Sequence, residues 1–305
     1  MSKISMLSPW LRAVRIRFLL ASVIAVFLGL AISWWQTSTF NIGFAALTLA
    51  GVMALHASVD LLNDYWDYKR SIDTETKRTT FSGGTGVLPE GLLKPSDVYM
   101  AGVVMLIVGA LIGAYFVYER GITIAIILGF AIISIYFYST RIVDSGLGEV
   151  FVAIKGSMIV LGTCYVQTQH ITAEPILGGI VSGVLSSTVL FVNSFPDYEA
   201  DKSHGRKTLV ILLGRPKAAS SAWIFPAISH GIIVIAVALH FFPTVSLITL
   251  ATIPISIRSC KALKQKFDQL QEFVPIMKSF VSYSRITGSL LVVSFVIDYF
   301  LKSAQ

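Results

Sequence analysis

The stretch NDYWDYKRSID, residues 63–73, follows directly on the apolar run FAALTLAGVMALHASVDLL and sets three aspartates and an asparagine at its end. Taken alone it has two readings. One is a solvated turn between membrane-spanning helices. The other is a cluster of oxygen ligands for a hard cation at the membrane edge. The rest of the chain decides between them.

Of the 305 residues 54% are hydrophobic and 13% charged, against roughly 25% charged in soluble chains. Apolar runs long enough to cross a hydrocarbon core of about 30 Å recur throughout. The expected fold is an all-α integral membrane protein, one domain over residues 1–305, built as a bundle of nine transmembrane helices. The spans are drawn at 16–36, 42–62, 97–118, 121–139, 147–168, 174–195, 216–240, 243–260 and 279–301. The first run continues past Leu30 without a small-residue cleavage site and reads as a span, not a removable signal. Cys164 and Cys260 are isolated, so no disulfide framework is expected.

The net charge of +7 matters through its distribution. With the N-terminus in the cytoplasm, only Arg120 and Lys302 of the 24 Lys and Arg fall on the outer side. The opposite orientation would violate the positive-inside tendency. The expected location is therefore the cell (inner, cytoplasmic) membrane, multi-pass, with a chamber and cap loops facing the cytoplasm. The lipid bilayer is the one macromolecular partner the sequence calls for. No nucleic-acid module and no obligate protein partner is evident.

Parity then pairs two segments. The second and sixth spans both run inwards, so NDYWDYKRSID and NSFPDYEAD (193–201) share one membrane face. Asn63 and Asp67 are four apart, as are Asn193, Asp197 and Asp201. On a helix that interval makes one polar stripe. Carboxylate and amide oxygens suit Mg²⁺, whose shell substrate phosphates and waters complete. Two facing stripes can hold two Mg²⁺ ions bridged by a diphosphate. Pro196, inside the second motif, predicts a kink or a fresh helix start. Lys69 and Arg70, then Lys202, Arg206 and Lys207, follow the motifs, and Arg15 and Arg17 sit at the start of the first span. These residues suit diphosphate oxygens, although positive-inside residues need no ligand.

At these residues the chain resembles the UbiA superfamily of intramembrane prenyltransferases, along nearly its whole length. The match includes the ND-x-x-D element at Asn63–Asp67, the D-x-x-x-D element at Asp197–Asp201 and the following DKSHGRKTLVILLG. It is most similar to the menaquinone-pathway branch, which prenylates 1,4-dihydroxy-2-naphthoate. The acid after Asp67 arrives at Asp73, as in that branch, and SGGTGVLPEGLL (82–93) is similar to its SGG-x-GVLP signature. Ser71, where the branch often has Gly, and Asp60, where Asn is common, are departures. Independently of family, Gly83, Gly84 and Gly86 form a loop whose amides can approach a ligand closely.

The resemblance implies Mg²⁺-dependent transfer of a polyprenyl group from a polyprenyl diphosphate to an aromatic acceptor through an allylic cation. It casts Asn63, Asp67, Asn193, Asp197 and Asp201 as metal ligands, with Asp73 as a loop ligand. Asp64 would be a base or acceptor-orienting group. Tyr136, Phe137 and Tyr138 would stabilise the cation, with Arg141 one turn on, unless they form an interfacial aromatic belt. A lateral opening for the prenyl tail is expected. His56 and Asp60 share a face of the second span, where they line the lower chamber or simply pair. RSCKALKQKFDQLQEF (258–273) reads as an amphipathic connector at the interface. The competing readings are another acceptor, such as geranylgeranylglyceryl phosphate or a different quinone-precursor ring, and a cation-coupled transporter. Carboxylates at the membrane edge and not at its midplane weigh against transport.

Overall fold

Lipid offers backbone amides and carbonyls no partners, so a chain this apolar must satisfy them within helices. A computed structural model describes residues 7–75, 78–79 and 81–304. Lys3 and Lys77, counted in the charge asymmetry, lie outside the described residues. The helices are α1 (Leu7–Ala13), α2 (Ile16–Thr37), α3 (Ile42–Lys69), α4 (Ile72–Glu75), α5 (Pro95–Arg120), α6 (Ile122–Phe137) and α7 (Gly148–Thr168). They continue as α8 (Ala173–Asn193), α9 (Tyr198–Ser203), α10 (Leu209–Leu213), α11 (Arg215–Ser221), α12 (Ile224–Ala238), α13 (Ile253–Lys266) and α14 (Phe273–Ser303). Among the described residues there is no strand, and nine segments are long and apolar enough to cross a membrane.

Small residues bring the helices close where the site is built. A Cβ on Gly156 of α7 would lie 2.8 Å from the Cα of Gly183 on α8, and one on Gly183 would lie 2.1 Å from the carbonyl oxygen of Ala153. Backbone-to-backbone approach of this kind is how helices associate in a solvent as apolar as their own side chains. Lipid-facing positions such as Leu111, Ile122 and Ile126 stay exposed.

Three boundaries have a local cause; the first and third differ from the sequence expectation, and the second, at Pro196, meets it. The second span was drawn to 62, yet α3 runs on to Lys69 and carries the first motif within its last two turns. Nothing before Ser71 stops it, and the Asn63 amide donates to Asp67 at 2.9 Å, so the polar residues satisfy one another along the helix. The helix ends at Arg70, and Ser71 adopts a left-handed conformation (φ 61°). Second, Pro196 breaks the other motif: α8 stops at Asn193, and α9 starts only at Tyr198. Third, the connector at 258–273 is largely helix. After a 3₁₀ segment at Thr244–Thr252, α13 opens with Pro254 in its first turn and runs to Lys266, so this span is longer than 243–260.

The longer connections, 70–94 and 194–208, gather at the end of the bundle that holds the motifs. Val87 and Leu88 pack with Ala13, Leu61 and Val98, tying α1 and the glycine-rich segment to α3 and α5. Phe191, Phe195, Val210, Phe273 and Phe280 form a second buried cluster beneath α9 and α10. These contacts form the cap over the chamber.

Ser71 bears the cost of a left-handed backbone at the C-terminus of α3, where glycine is the usual solution. Ser71→Gly should stabilise the protein by about 0.5–1 kcal/mol, the steric relief exceeding the added freedom of the unfolded chain. Denaturant unfolding in detergent micelles reads the change, and an unchanged or lower midpoint would contradict it.

Candidate active site

Beneath the cap a cavity of about 320 Å³ opens between α2, α3, α6, α7, α8 and α14. Asn63, Asp67, Asp73, Asn193, Asp197 and Asp201 all line it, together with Arg15, Arg206 and the loop Ser82–Gly84. Topological parity thus brings the two motifs to one mouth. The second motif is no straight stripe, because Asn193 ends α8, Asp197 precedes α9 and Asp201 lies within it.

Arg206 bridges the motifs. Its Nη2 donates to Asp67 on α3, and its Nη1 donates to Asp201 at 3.0 Å. The glycine loop enters from the other side. The Gly83 amide donates to Asp197 Oδ2 at 3.1 Å, and a Cβ on Gly84 (φ +68°) would come within 2.1 Å of Asp73 Oδ2. Only a residue without a side chain lets the loop pass that carboxylate.

Among the described residues, no three His, Cys, Asp or Glu side chains already converge into a cation cage; the positive charge between Asp67 and Asp201 is Arg206. The donor set still fits a hard cation. Asn193 Oδ1 and Asp197 Oδ1 are buried oxygens with no hydrogen-bond partner, and both residues line the cavity. Such atoms carry a desolvation cost until a donor or cation meets them.

The electrostatics follow from crowding. Burial, then the nearby Asp201, pushes Asp197 up to about 7 despite the Gly83 amide. Burial, then Asp67 and Asp64, pushes Asp73 up to about 8. Asp201 also rises, chiefly through burial. Burial opposes the charge on Arg15 and Arg206, but Asp64 beside the first and Asp67 beside the second outweigh it, so both stay above the ordinary arginine value.

Other expected site residues stand elsewhere. Asp64 is buried and engaged away from the cavity. It accepts from Arg15 at 2.8 Å, from the Thr85 amide at 3.4 Å and from the Thr85 hydroxyl. With Arg12 donating to the Thr85 carbonyl at 2.5 Å, Asp64 anchors the glycine loop and does not line the cavity. Arg17, in the first turn of α2 beyond the left-handed Arg15, is exposed. Lys69 is exposed and stands 5.9 Å from the Tyr65 ring centroid. Arg70 turns to Asp144, at 3.0 Å, and to the Ser139 and His204 carbonyls. Lys202 and Lys207 are exposed, the first over the Tyr198 ring at 5.5 Å. Tyr138 lines the cavity, whereas Tyr136 and Phe137 face outwards. A π-helical turn at Tyr138–Ile142 offsets Arg141 from Tyr138 and leaves it exposed, 5.9 Å from the Phe137 ring.

Sequence reasoning missed Lys155, Phe18, Phe81 and Phe151, all lining the cavity. Lys155 had a signal: it interrupts the apolar run FVAIKGSMIV, and an ionisable residue inside a span normally faces the bundle interior. Phe18 and Phe151 had none, being indistinguishable from lipid-facing residues, whereas Phe81 adjoins the glycine-rich segment.

The chain belongs to the UbiA prenyltransferase family, whose sequence model matches residues 22–273. It is accordingly a membrane-embedded enzyme that transfers prenyl groups. A 1,4-dihydroxy-2-naphthoate octaprenyltransferase from Bacillus subtilis (strain 168) is 27% identical over 290 residues, covering 92% of this chain and 90% of the relative. The apo structure of a UbiA homologue from Aeropyrum pernix K1 superposes with a TM-score of 0.68 at 14% identity, covering 92% of this chain and 97% of the other. A UbiA homologue from Archaeoglobus fulgidus bound to DMAPP and Mg²⁺ gives 0.58 at 16% identity, covering 92% and 99%. At these identities the structural likeness establishes the fold.

Two outcomes follow from the geometry. Gly84→Ala should displace Asp73 and lower turnover on the order of 100-fold, with global unfolding little changed; wild-type kinetics in this variant would refute the tight passage. A divalent cation binds the carboxylate form, so Mg²⁺ affinity should fall as pH drops through about 8 and then about 7, the values held by Asp73 and Asp197. Calorimetry in buffers of different ionisation enthalpy should show protons released on Mg²⁺ binding, and no release would contradict it.

Proposed function

We propose that the chain transfers a polyprenyl group from a polyprenyl diphosphate to a ring carbon of 1,4-dihydroxy-2-naphthoate, with Mg²⁺ and at the cytoplasmic face. The observation that carries this reading is the pair of unpartnered buried oxygens, Asn193 Oδ1 and Asp197 Oδ1, at the same mouth as the Asp67–Arg206–Asp201 bridge. The name of the Bacillus relative supports the acceptor, and DMAPP with Mg²⁺ in the Archaeoglobus homologue supports the donor class and the metal. The charge asymmetry supports the orientation.

Asn63, Asp67, Asn193, Asp197 and Asp201 would hold two Mg²⁺ ions, with Asp73 completing the set from the loop. Bound Mg²⁺ supplies positive charge that offsets the negative charge building on the diphosphate as the allylic C–O bond breaks. Arg206 and Arg15 line the cavity beside the motif carboxylates; released from Asp67 and Asp201, the Arg206 fork matches phosphate oxygens. The Gly83 and Gly84 amides lie where a loop can close over the anion. Tyr138, Phe18 and Phe81 present rings to the chamber, and aromatic faces stabilise a carbocation without attacking it. The apolar walls keep water from competing with the acceptor carbon.

The test is transfer of label from a polyprenyl diphosphate to 1,4-dihydroxy-2-naphthoate by the purified protein. Chelating Mg²⁺ should abolish product, and Asp67→Ala with Asp197→Ala should lower the rate by about 1,000-fold or more, given that charge stabilisation is the main catalytic contribution. Product that persists under both conditions would overturn the metal reading, and transfer only to other acceptors would overturn the naphthoate assignment.

A further inference from the structure

Below the motif level the cavity carries a second polar group that a diphosphate at its mouth does not use. Ser22 of α2, His56 and Asp60 of α3 and Lys155 of α7 all line it. Ser22 Oγ and His56 Nδ1 lie 2.7 Å apart, and His56 Nε2 stands 3.7 Å from Asp60 Oδ2. That Asp60 oxygen is buried without a hydrogen-bond partner. Lys155 has no carboxylate within ion-pair distance among the described residues.

Asp60 precedes Asp67 by seven residues, about 10 Å of helix rise. A diphosphate gripped at the mouth does not reach it, but a ring reacting with the adjacent allylic carbon extends towards it. An isoprenoid tail packed here would leave the Asp60 carboxylate and the Lys155 amine desolvated without a hydrogen-bonding ligand, which is strongly unfavourable. The polar floor therefore excludes the tail and suits a ligand carrying both an anion and a donor.

We propose that Ser22, His56, Asp60 and Lys155 form the acceptor subsite, selecting an aromatic acid with a ring hydroxyl. The acceptor carboxylate takes a hydrogen bond from Lys155 Nζ, its hydroxyl donates to Asp60 Oδ2, and Ser22 holds His56 beside Asp60. Lys155 then sets specificity for acidic acceptors, while Ser22 and His56 act as positioning residues. This assignment rests on the prenyl-transfer reading above and adds to it the part of the chamber in which the acceptor lies.

The experiment measures equilibrium binding of 1,4-dihydroxy-2-naphthoate and of 1,4-dihydroxynaphthalene, which lacks the carboxylate, to the micelle-solubilised full chain. Geranylgeranyl diphosphate with Mg²⁺ is bound in parallel. Lys155→Met should weaken the acid at least about tenfold, the size of one charge-assisted hydrogen bond, and leave the diphosphate within about twofold. The carboxylate-free ring should bind both chains alike, and Lys155→Arg should recover most of the affinity for the acid. Asp60→Asn should weaken both rings. Equal affinity of wild type and Lys155→Met for the acid, or no binding of the acid to wild type, overturns the subsite. So does a parallel loss of diphosphate binding that Lys155→Arg fails to recover. Turnover is scored separately: a wild type that binds the acid through Lys155 yet forms no prenylated product refutes the reaction and leaves the subsite standing.

Discussion

Carboxylates sharing a space of low dielectric repel one another, and the region around the two motifs is arranged around that repulsion. Asp64, Asp67, Asp73 and Asp201 are all buried at one end of the bundle, with Asp197 beside them. Two arginines offset them, and each reaches α3 from a distant part of the chain. Arg15, left-handed at the junction of α1 and α2, reaches Asp64 of α3. Arg206, from the segment after α9, reaches both α3 and α9. Each ion pair thus fixes the path of a connecting segment as well as balancing charge. The glycine loop lies between them, tied by Thr85 to Asp64 and by Gly83 to Asp197. Breaking a buried pair of this kind leaves a stranded charge, which costs about 3–5 kcal/mol.

The parts of the fold that hydropathy and charge report were legible without coordinates. Span count and the shared face of Asn63–Asp67 and Asn193–Asp201 follow from length and parity, which depend on composition and not on packing. Pro196 also announced its break. The azimuth of a side chain around its helix was not legible where a helix started off-register or changed pitch. Arg15 and Arg17 look equivalent in sequence, yet the left-handed turn at Arg15 and the 100° step of the helix send one inwards and the other to the surface. Tyr138 and Arg141 look one turn apart, and the π-helical turn separates them. Asp64 was misplaced for a related reason: it does diverge from the Asn63–Asp67 stripe, but towards α1 and Thr85 and not towards the chamber.

Lys155 shows the limit of charge counting. As one of 24 basic residues it merely joins the positive-inside total, although it sits two turns into α7 and faces the cavity. Depth within a span, not the sign of the charge, separates a topological lysine from one that meets a ligand. The chamber is accordingly graded, with anions and arginines at its mouth, aromatic rings along its walls and a mixed-charge floor.

The Arg206 bridge bears on the biogenesis of the protein. In small metal-dependent domains the ion supplies the folding energy, and the apo chain is unfolded. Here a guanidinium tethered to the polypeptide already stands between Asp67 and Asp201, so the folded chain offsets that pair of carboxylates by itself. A metal ion binding there would exchange one cation for another on a finished scaffold. The arginine displaced by such an exchange would stay at the mouth, still linked by a few residues to Asp201.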